Sequence, residues 1–119
     1  MEYKTEYAFD ILDKGNYNGY DYYIISYGTH PCAYIIIPVE NPLYGRDYNS
    51  IDIDVHGGLT FGGHHNLLED RWCIGWDYAH AGDCVSYSEL DKYNDKRWTT
   101  EEILEDVHSV IDQLNKLVK

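Results

Sequence analysis

Apolar and polar residues alternate most plainly in two stretches of the chain. In residues 51–56, Ile51, Ile53 and Val55 alternate with Asp52, Asp54 and His56. In residues 71–78, Trp72, Ile74, Trp76 and Tyr78 alternate with Cys73, Gly75 and Asp77. A period of two puts each set on its own face of a strand. Residues 20–27 predict a further strand, closed by Gly28. Residues 32–39 predict another, whose Tyr34-Ile-Ile-Ile37 run suggests burial on both faces and hence a central position. Pro38 and Pro42 end it, because proline lacks the N–H that a ladder needs. Gly28-Thr-His-Pro31 reads as the hairpin connection between these two strands.

A short continuation over 59–61 is expected beyond a Gly57-Gly58 turn or bulge, followed by a flexible tip at 62–66. Residues 5–12 form a short apolar segment, helix or strand, that ends at an Asp13-Lys-Gly15 turn signal. Pro, Gly, Asn and Asp mark 41–50 as a surface loop, and 79–97 are polar and irregular.

The period then changes to 3.6. Thr99 and Glu102 form a capping box, and Ile103, Leu104, Val107, Ile111, Leu114 and Val118 make one apolar stripe. Acids open this helix while Lys116 and Lys119 close it, as its dipole prefers. His108 and Asp112 fall outside the stripe and are expected to be solvated. The fold class that follows is α+β: a mainly antiparallel sheet of five or six strands packed against a C-terminal α-helix. At 119 residues the expectation is a single domain, 1–119.

Composition supports this reading and narrows the partners. Thirteen Tyr, three Trp and two Phe against one Met favour a pleated surface. With 21 carboxylates against nine Lys and Arg, the formal charge is −12. No basic cluster is present to neutralise phosphates, so polynucleotide binding is not expected. Nor is a membrane surface, and no apolar run approaches the ~20 residues of a spanning helix. The charge suits solubility, cation binding or a basic protein partner. Cys32, Cys73 and Cys84 are odd in number and lack metal-ligand spacing, so neither a disulfide framework nor a structural zinc site is expected. The first residues lack the pattern of a secretion signal. Together these point to a reducing, cytoplasmic setting, with homo-oligomerisation left open.

The candidate chemistry lies in Asp52-Ile-Asp-Val-His-Gly-Gly58 and Trp76-Asp-Tyr-Ala-His-Ala-Gly-Asp83. In each, a predicted strand delivers carboxylates and an imidazole into a turn without bulky side chains. Gly57 and Gly58 leave volume beside His56 and let backbone approach a ligand, although a plain tight turn also explains them. Asp77, His80 and Asp83 are three polar groups within seven residues. They could bind a divalent metal together with His56, hold a small polar molecule, or run acid–base chemistry. Their spacing matches no known metal motif, and His64-His65 diverge as adjacent side chains do, so no metal ligand is assigned and the cofactor stays open.

The ordered set His30-Pro-Cys-Ala-Tyr34, Asn41-Pro-Leu-Tyr-Gly-Arg-Asp-Tyr48, Asp54-Val-His-Gly-Gly-Leu-Thr-Phe61 and Trp76-Asp-Tyr-Ala-His-Ala-Gly-Asp83 resembles a family of small uncharacterised proteins from phages, prophages and mobile elements. The resemblance spans residues 28–84 and implies a genetic setting rather than a reaction. Tyr78 stands where that pattern leads one to expect a cysteine, so a thiol nucleophile is not implied there.

Three functions follow as expectations. The first is binding of a small polar, nucleotide-like signalling molecule as counter-defence sequestration. Tyr44, Tyr48 and Tyr78 would stack on a base, Gly57, Gly58 and Gly82 would offer amides, and Asp54, His56, Asp77, His80 and Asp83 would complete the ligand contacts. An anionic ligand would need Arg46 or Arg71 in the pocket. The second is a hydrolase or lyase, metal-assisted or not, with His56 and His80 as acid and base oriented by Asp54, Asp77 or Asp83. The third is an acidic interaction protein or nucleic-acid mimic.

Overall fold

The computed structural model of the protein describes residues 10–26, 30–78 and 99–118. Five strands form one sheet: β1 (Asp10–Tyr17), β2 (Tyr20–Ser26), β3 (Pro31–Ile36), β4 (Phe61–His65) and β5 (Arg71–Asp77). Their order is β1-β2-β3-β5-β4, and every neighbouring pair is antiparallel. Among the described residues one α-helix, α1 (Thr100–Leu117), covers one face, which makes the fold α+β. β3 occupies the middle of the sheet, as its uninterrupted apolar run predicts.

The helix buries Ile103, Val107, Val110, Ile111 and Leu114 against Ile24, Ile35, Ile74 and Trp76. Each fully buried aliphatic side chain contributes about 1.5–3 kcal/mol, so this stripe seats the helix firmly on the sheet. The capping box is present: Glu102 N–H donates to Thr99 Oγ1 at 3.1 Å and Thr99 N–H to Glu102 Oε1 at 3.0 Å. A second apolar cluster lies on the other face of the sheet, built from Ile25, Cys32, Tyr34, Ile36, Leu68 and Cys73.

Four expectations change. Asp13-Lys14-Gly15 lies inside β1, and the chain reverses instead at Asn18-Gly19. There φ is 47° and 99°, the two positive values that a two-residue type I′ hairpin requires. Residues 62–66 are not a free tip: residues 61–65 pair with β5 as its outer neighbour, and only Asn66 lies beyond, in a 3₁₀ turn. His64 and His65 therefore point to opposite faces. His65 lies edge-on to Tyr34 at 4.5 Å, and its partial burial lowers its pKa.

His108 is half-buried rather than fully solvated, its ring stacked on Tyr17 at 3.9 Å and 16°. Asp112 is exposed, as expected, and accepts from Asn18 Nδ2 at 3.4 Å, so the hairpin tip docks on α1. Finally, residues 51–56 are not a strand. They run as an extended strap whose backbone finds a side-chain partner: Asp54 N–H donates to Gln113 Oε1 and Gln113 Nε2 donates to Asp54 C=O, both at 2.8 Å. The amide of α1 thus does for Asp54 what a neighbouring strand would have done. The alternation survives in burial, with Ile51 buried, Ile53 and Val55 packed on the core, and Asp52 and Asp54 exposed.

Two glycines in the sheet face tyrosines across a strand pair, Gly15 opposite Tyr22 and Gly75 opposite Tyr34. A methyl at Gly75 would sit 2.6 Å from Tyr34 Cδ1 and 2.9 Å from the Ala33 carbonyl. Gly75→Ala should therefore cost about 2 kcal/mol or more by overpacking, read as a lower urea midpoint with unchanged slope. An unchanged midpoint would contradict this packing.

The His65 shift carries a sign for pH. Its folded pKa lies below the unfolded value of about 6.5. The stability it contributes is present above that value and is lost as pH falls through the folded pKa. His65→Gln should flatten the decline in midpoint on the acid side of pH 6.5, whereas an unaltered profile would contradict the burial.

Candidate functional site

The two chemistry-bearing segments meet at the end of β5. Val55 C=O accepts from Gly58 N–H at 2.8 Å, closing a tight turn with His56 and Gly57 at its centre. Gly57 has φ 71°, the positive value that a type II turn needs at its third residue. The turn sets the His56 ring parallel to that of Tyr78, with centroids 4.9 Å apart and planes 7° from parallel.

Tyr78 itself is fully buried beneath His56, so its ring is not open to stack on a base as expected. Its hydroxyl accepts from Trp76 Nε1 at 2.9 Å and donates to Asp106 Oδ2 of α1 at 2.6 Å. The Tyr78 amide donates to the Pro31 carbonyl at 3.1 Å, so His30 stands at the same end of the sheet. Imidazole, phenol and carboxylate are thereby joined across strap, strand and helix. A hydrogen bond to a charged acceptor at this length is strong, and its partial burial reduces competition from water.

Asp77 faces the other way. It lies opposite Cys32 in the β3–β5 register, whereas Tyr78 and Trp76 belong to the helix-side core. Thr60 Oγ1 donates to Asp77 Oδ2 at 3.2 Å. Burial, the largest cause, pushes the Cys32 thiol up to about 11; a hydrogen bond with Tyr34 opposes it in part, and the nearby Asp77 carboxylate adds a smaller push upward. Burial likewise pushes Cys73 up to about 12. Burial thus favours the protonated form of both thiols at neutral pH.

The other residues singled out by sequence are dispersed. Tyr44 packs against Trp72, six residues before Tyr78 in β5, or about 20 Å at ~3.3 Å per residue. Tyr48 lies against Gly62 in β4, with its Cβ 3.2 Å from where a methyl would be. Asp54 is exposed, held by its backbone rather than its carboxylate. Gly58 has open space where a side chain would project. His80, Gly82 and Asp83 lie outside the described residues, as do Cys84 and the segment 79–97.

Neither arginine joins His56. Arg46 Nη2 donates to Ser50 C=O at 3.1 Å. Arg71 is held by Asp21 at 3.2 Å, by Glu69 at 3.6 Å and by Tyr23 Oη at 2.7 Å. Among the described residues no group of three or more His, Cys, Asp or Glu could hold a metal ion. Asp106 was not singled out from the sequence. Its signal is a polar border along the apolar stripe, Asp106, Ser109 and Gln113, at i, i+3 and i+7. Among the described residues no helix is long and apolar enough to cross a membrane. Comparison with protein-family models, curated proteins and solved structures finds no match for the chain.

Tyr78→Phe removes the oxygen that serves both Trp76 and Asp106. It should lower stability by about 1–3 kcal/mol in urea unfolding, because two polar groups lose their partner. Asp106→Asn retains an acceptor and should cost less. The reverse order of the two variants would contradict the network.

Proposed function

We propose that this protein binds and sequesters a small polar molecule, nucleotide-like in class, where the 55–58 turn meets the end of β5. The observation that supports the reading is the parallel His56–Tyr78 contact, fixed from below by Asp106 and Trp76. The His56 ring, laid on the buried Tyr78, would lose little freedom when a ligand engages its outer side, which is the general source of affinity in a preorganised site. His80, Gly82 and Asp83 follow Tyr78 within five residues in the sequence and are of the residue types that such a ligand needs as donors and acceptors.

One feature favours binding over turnover: Asp77 is turned from His56 by the alternation of β5 and so does not orient its ring. A charge of −12 with Arg46 and Arg71 engaged elsewhere favours a ligand of low net charge, such as a nucleoside or cyclic nucleotide, over a triphosphate. The resemblance to phage and mobile-element proteins suggests the setting: removal of a signalling molecule in the cytoplasm of a host cell.

Equilibrium dialysis against a panel of nucleosides and cyclic nucleotides, followed by heating and mass spectrometry, tests the reading. A ligand should be retained and recovered intact. His56→Ala and His80→Ala should each abolish retention with little change in thermal midpoint. Conversion of the ligand during incubation would select the hydrolase or lyase instead, and retention of nothing would end the proposal.

A further inference from the structure

A hydrogen bond that exists in only one protonation state closes the connection between β4 and β5. His65 Nδ1 accepts from Leu67 N–H at 3.2 Å and so caps the 3₁₀ turn Asn66–Leu68. A ring nitrogen accepts only while it carries no proton. We propose that His65 is a pH-sensitive latch: protonation of its Nδ1 in mild acid releases the 66–70 connection from the sheet, while the sheet itself stays folded.

The latched segment is under tension. Glu69 and Asp70 follow one another at φ 62° and 57°, left-handed backbone that residues with a side chain rarely adopt. Besides the cap, Asp70 N–H donates to the His65 carbonyl at 2.9 Å, and His64 Nδ1 lies 2.9 Å from the Asp70 carbonyl. The turn plants Leu68, 1% exposed, in the apolar cluster of Ile25, Cys32, Tyr34, Ile36 and Cys73. Once Nδ1 of His65 carries a proton, it turns a donor toward the Leu67 donor, and the cap becomes a repulsion. The strained pair is then free to relax, and Leu68 leaves the cluster.

The surroundings set the direction of the switch. The His65 ring lies edge-on to Tyr34 at 4.5 Å and at 5.6 Å from the Phe61 ring, an apolar niche that disfavours the charged form. Arg71 stands opposite His65 in the strand register, so a protonated ring gains a like-charged neighbour. The other titratable or charged groups on the elements packed here are the Tyr34 phenol on β3, the Cys73 thiol on β5, and Glu69 and Asp70 in the connection. Glu69 is paired with Arg71 at 3.6 Å, and burial keeps the thiol protonated. Burial places the His65 pKa below the usual value of about 6.5, so the latch is closed at neutral pH and opens as pH falls through the lowered pKa. A cleft of about 190 Å³ between Phe61, His64, His65, Asn66 and Asp70 gives solvent access to the ring. His64 does not duplicate the switch. A carbonyl only accepts, so its Nδ1 already carries a proton, and a second proton on Nε2 leaves that bond intact. This assignment does not rest on the reading of the His56 end.

Amide hydrogen exchange followed by NMR from about pH 7.5 to about pH 5 tests the latch, with protection read against the unstructured rate at each pH. Protection at Leu67 and Asp70 should fall at least about tenfold, with the midpoint of the His65 ring resonances, while the β3–β5 ladder keeps its protection. His65→Asn retains an acceptor at the cap and does not titrate, so protection of both amides should become independent of pH. Should His65→Asn fail to fold, the coincidence of midpoints in the wild-type protein decides. An acid-dependent loss that persists in folded His65→Asn, protection at Leu67 and Asp70 that ignores the His65 titration, or simultaneous loss across β3 and β5 would each overturn the assignment.

Discussion

The one-sided burial of α1 on the sheet is the contact on which the other features depend. Five aliphatic side chains of the helix meet the inner face of β2, β3 and β5, and Trp76 and Tyr78 extend that face toward the end of β5. A helix seated this way has two polar borders, and both are used. On one, Asp112 and His108 take the β1–β2 hairpin tip. On the other, Asp106 and Gln113 take Tyr78 and the strap at Asp54. Apolar packing sets where the helix lies. The border residues then decide which loops attach to it, because a backbone N–H or C=O near the core needs a partner.

From that seating follows the polarity of the molecule along β5. One end carries a buried polar chain from Trp76 through Tyr78 to Asp106, with His56 laid on it. The other carries inclined aromatic walls beside Asp70 and no uncommitted guanidinium among the described residues. The two ends differ in the groups they hold: a stacked His56–Tyr78 pair over hydrogen-bonding groups, and a cleft lined by Tyr44, His64 and Trp72. Both are shaped by elements that the sheet holds rigid, which is how small domains position side chains on loops.

Much of the architecture was legible in the sequence. The capping box at Thr99 and the stripe from Ile103 mark the helix, and the Tyr34-Ile-Ile-Ile37 run marks the central strand. Segments were misread where two partners compete for the same pattern. Alternation over 51–56 signals one buried edge, which a strap on a helix shares with a strand on a sheet. Only the Gln113 amide, 59 residues away, decides between them. The Asp13-Lys-Gly15 signal lost to Asn18-Gly19, a stronger type I′ pair, and Gly15 instead gives room to the Tyr22 hydroxyl. For the site, the placement of His56 beside Tyr78 was foreshadowed by the two glycine-flanked motifs. Asp106 was hidden because a polar residue at a helix border looks like any solvated one, and Tyr44 was drawn into the wrong group because its ring carries no sign of which end of β5 it meets.

Solution NMR of the His56 ring tests the central arrangement most directly. Stacking at 4.9 Å over a buried tyrosine places the imidazole protons in its ring current. Their resonances should lie upfield of unstructured histidine, show cross-relaxation to the Tyr78 ring, and return toward unstructured values in Gln113→Ala, where the strap is released. Unshifted His56 resonances without contact to Tyr78 in the wild-type protein would contradict the convergence of the two segments.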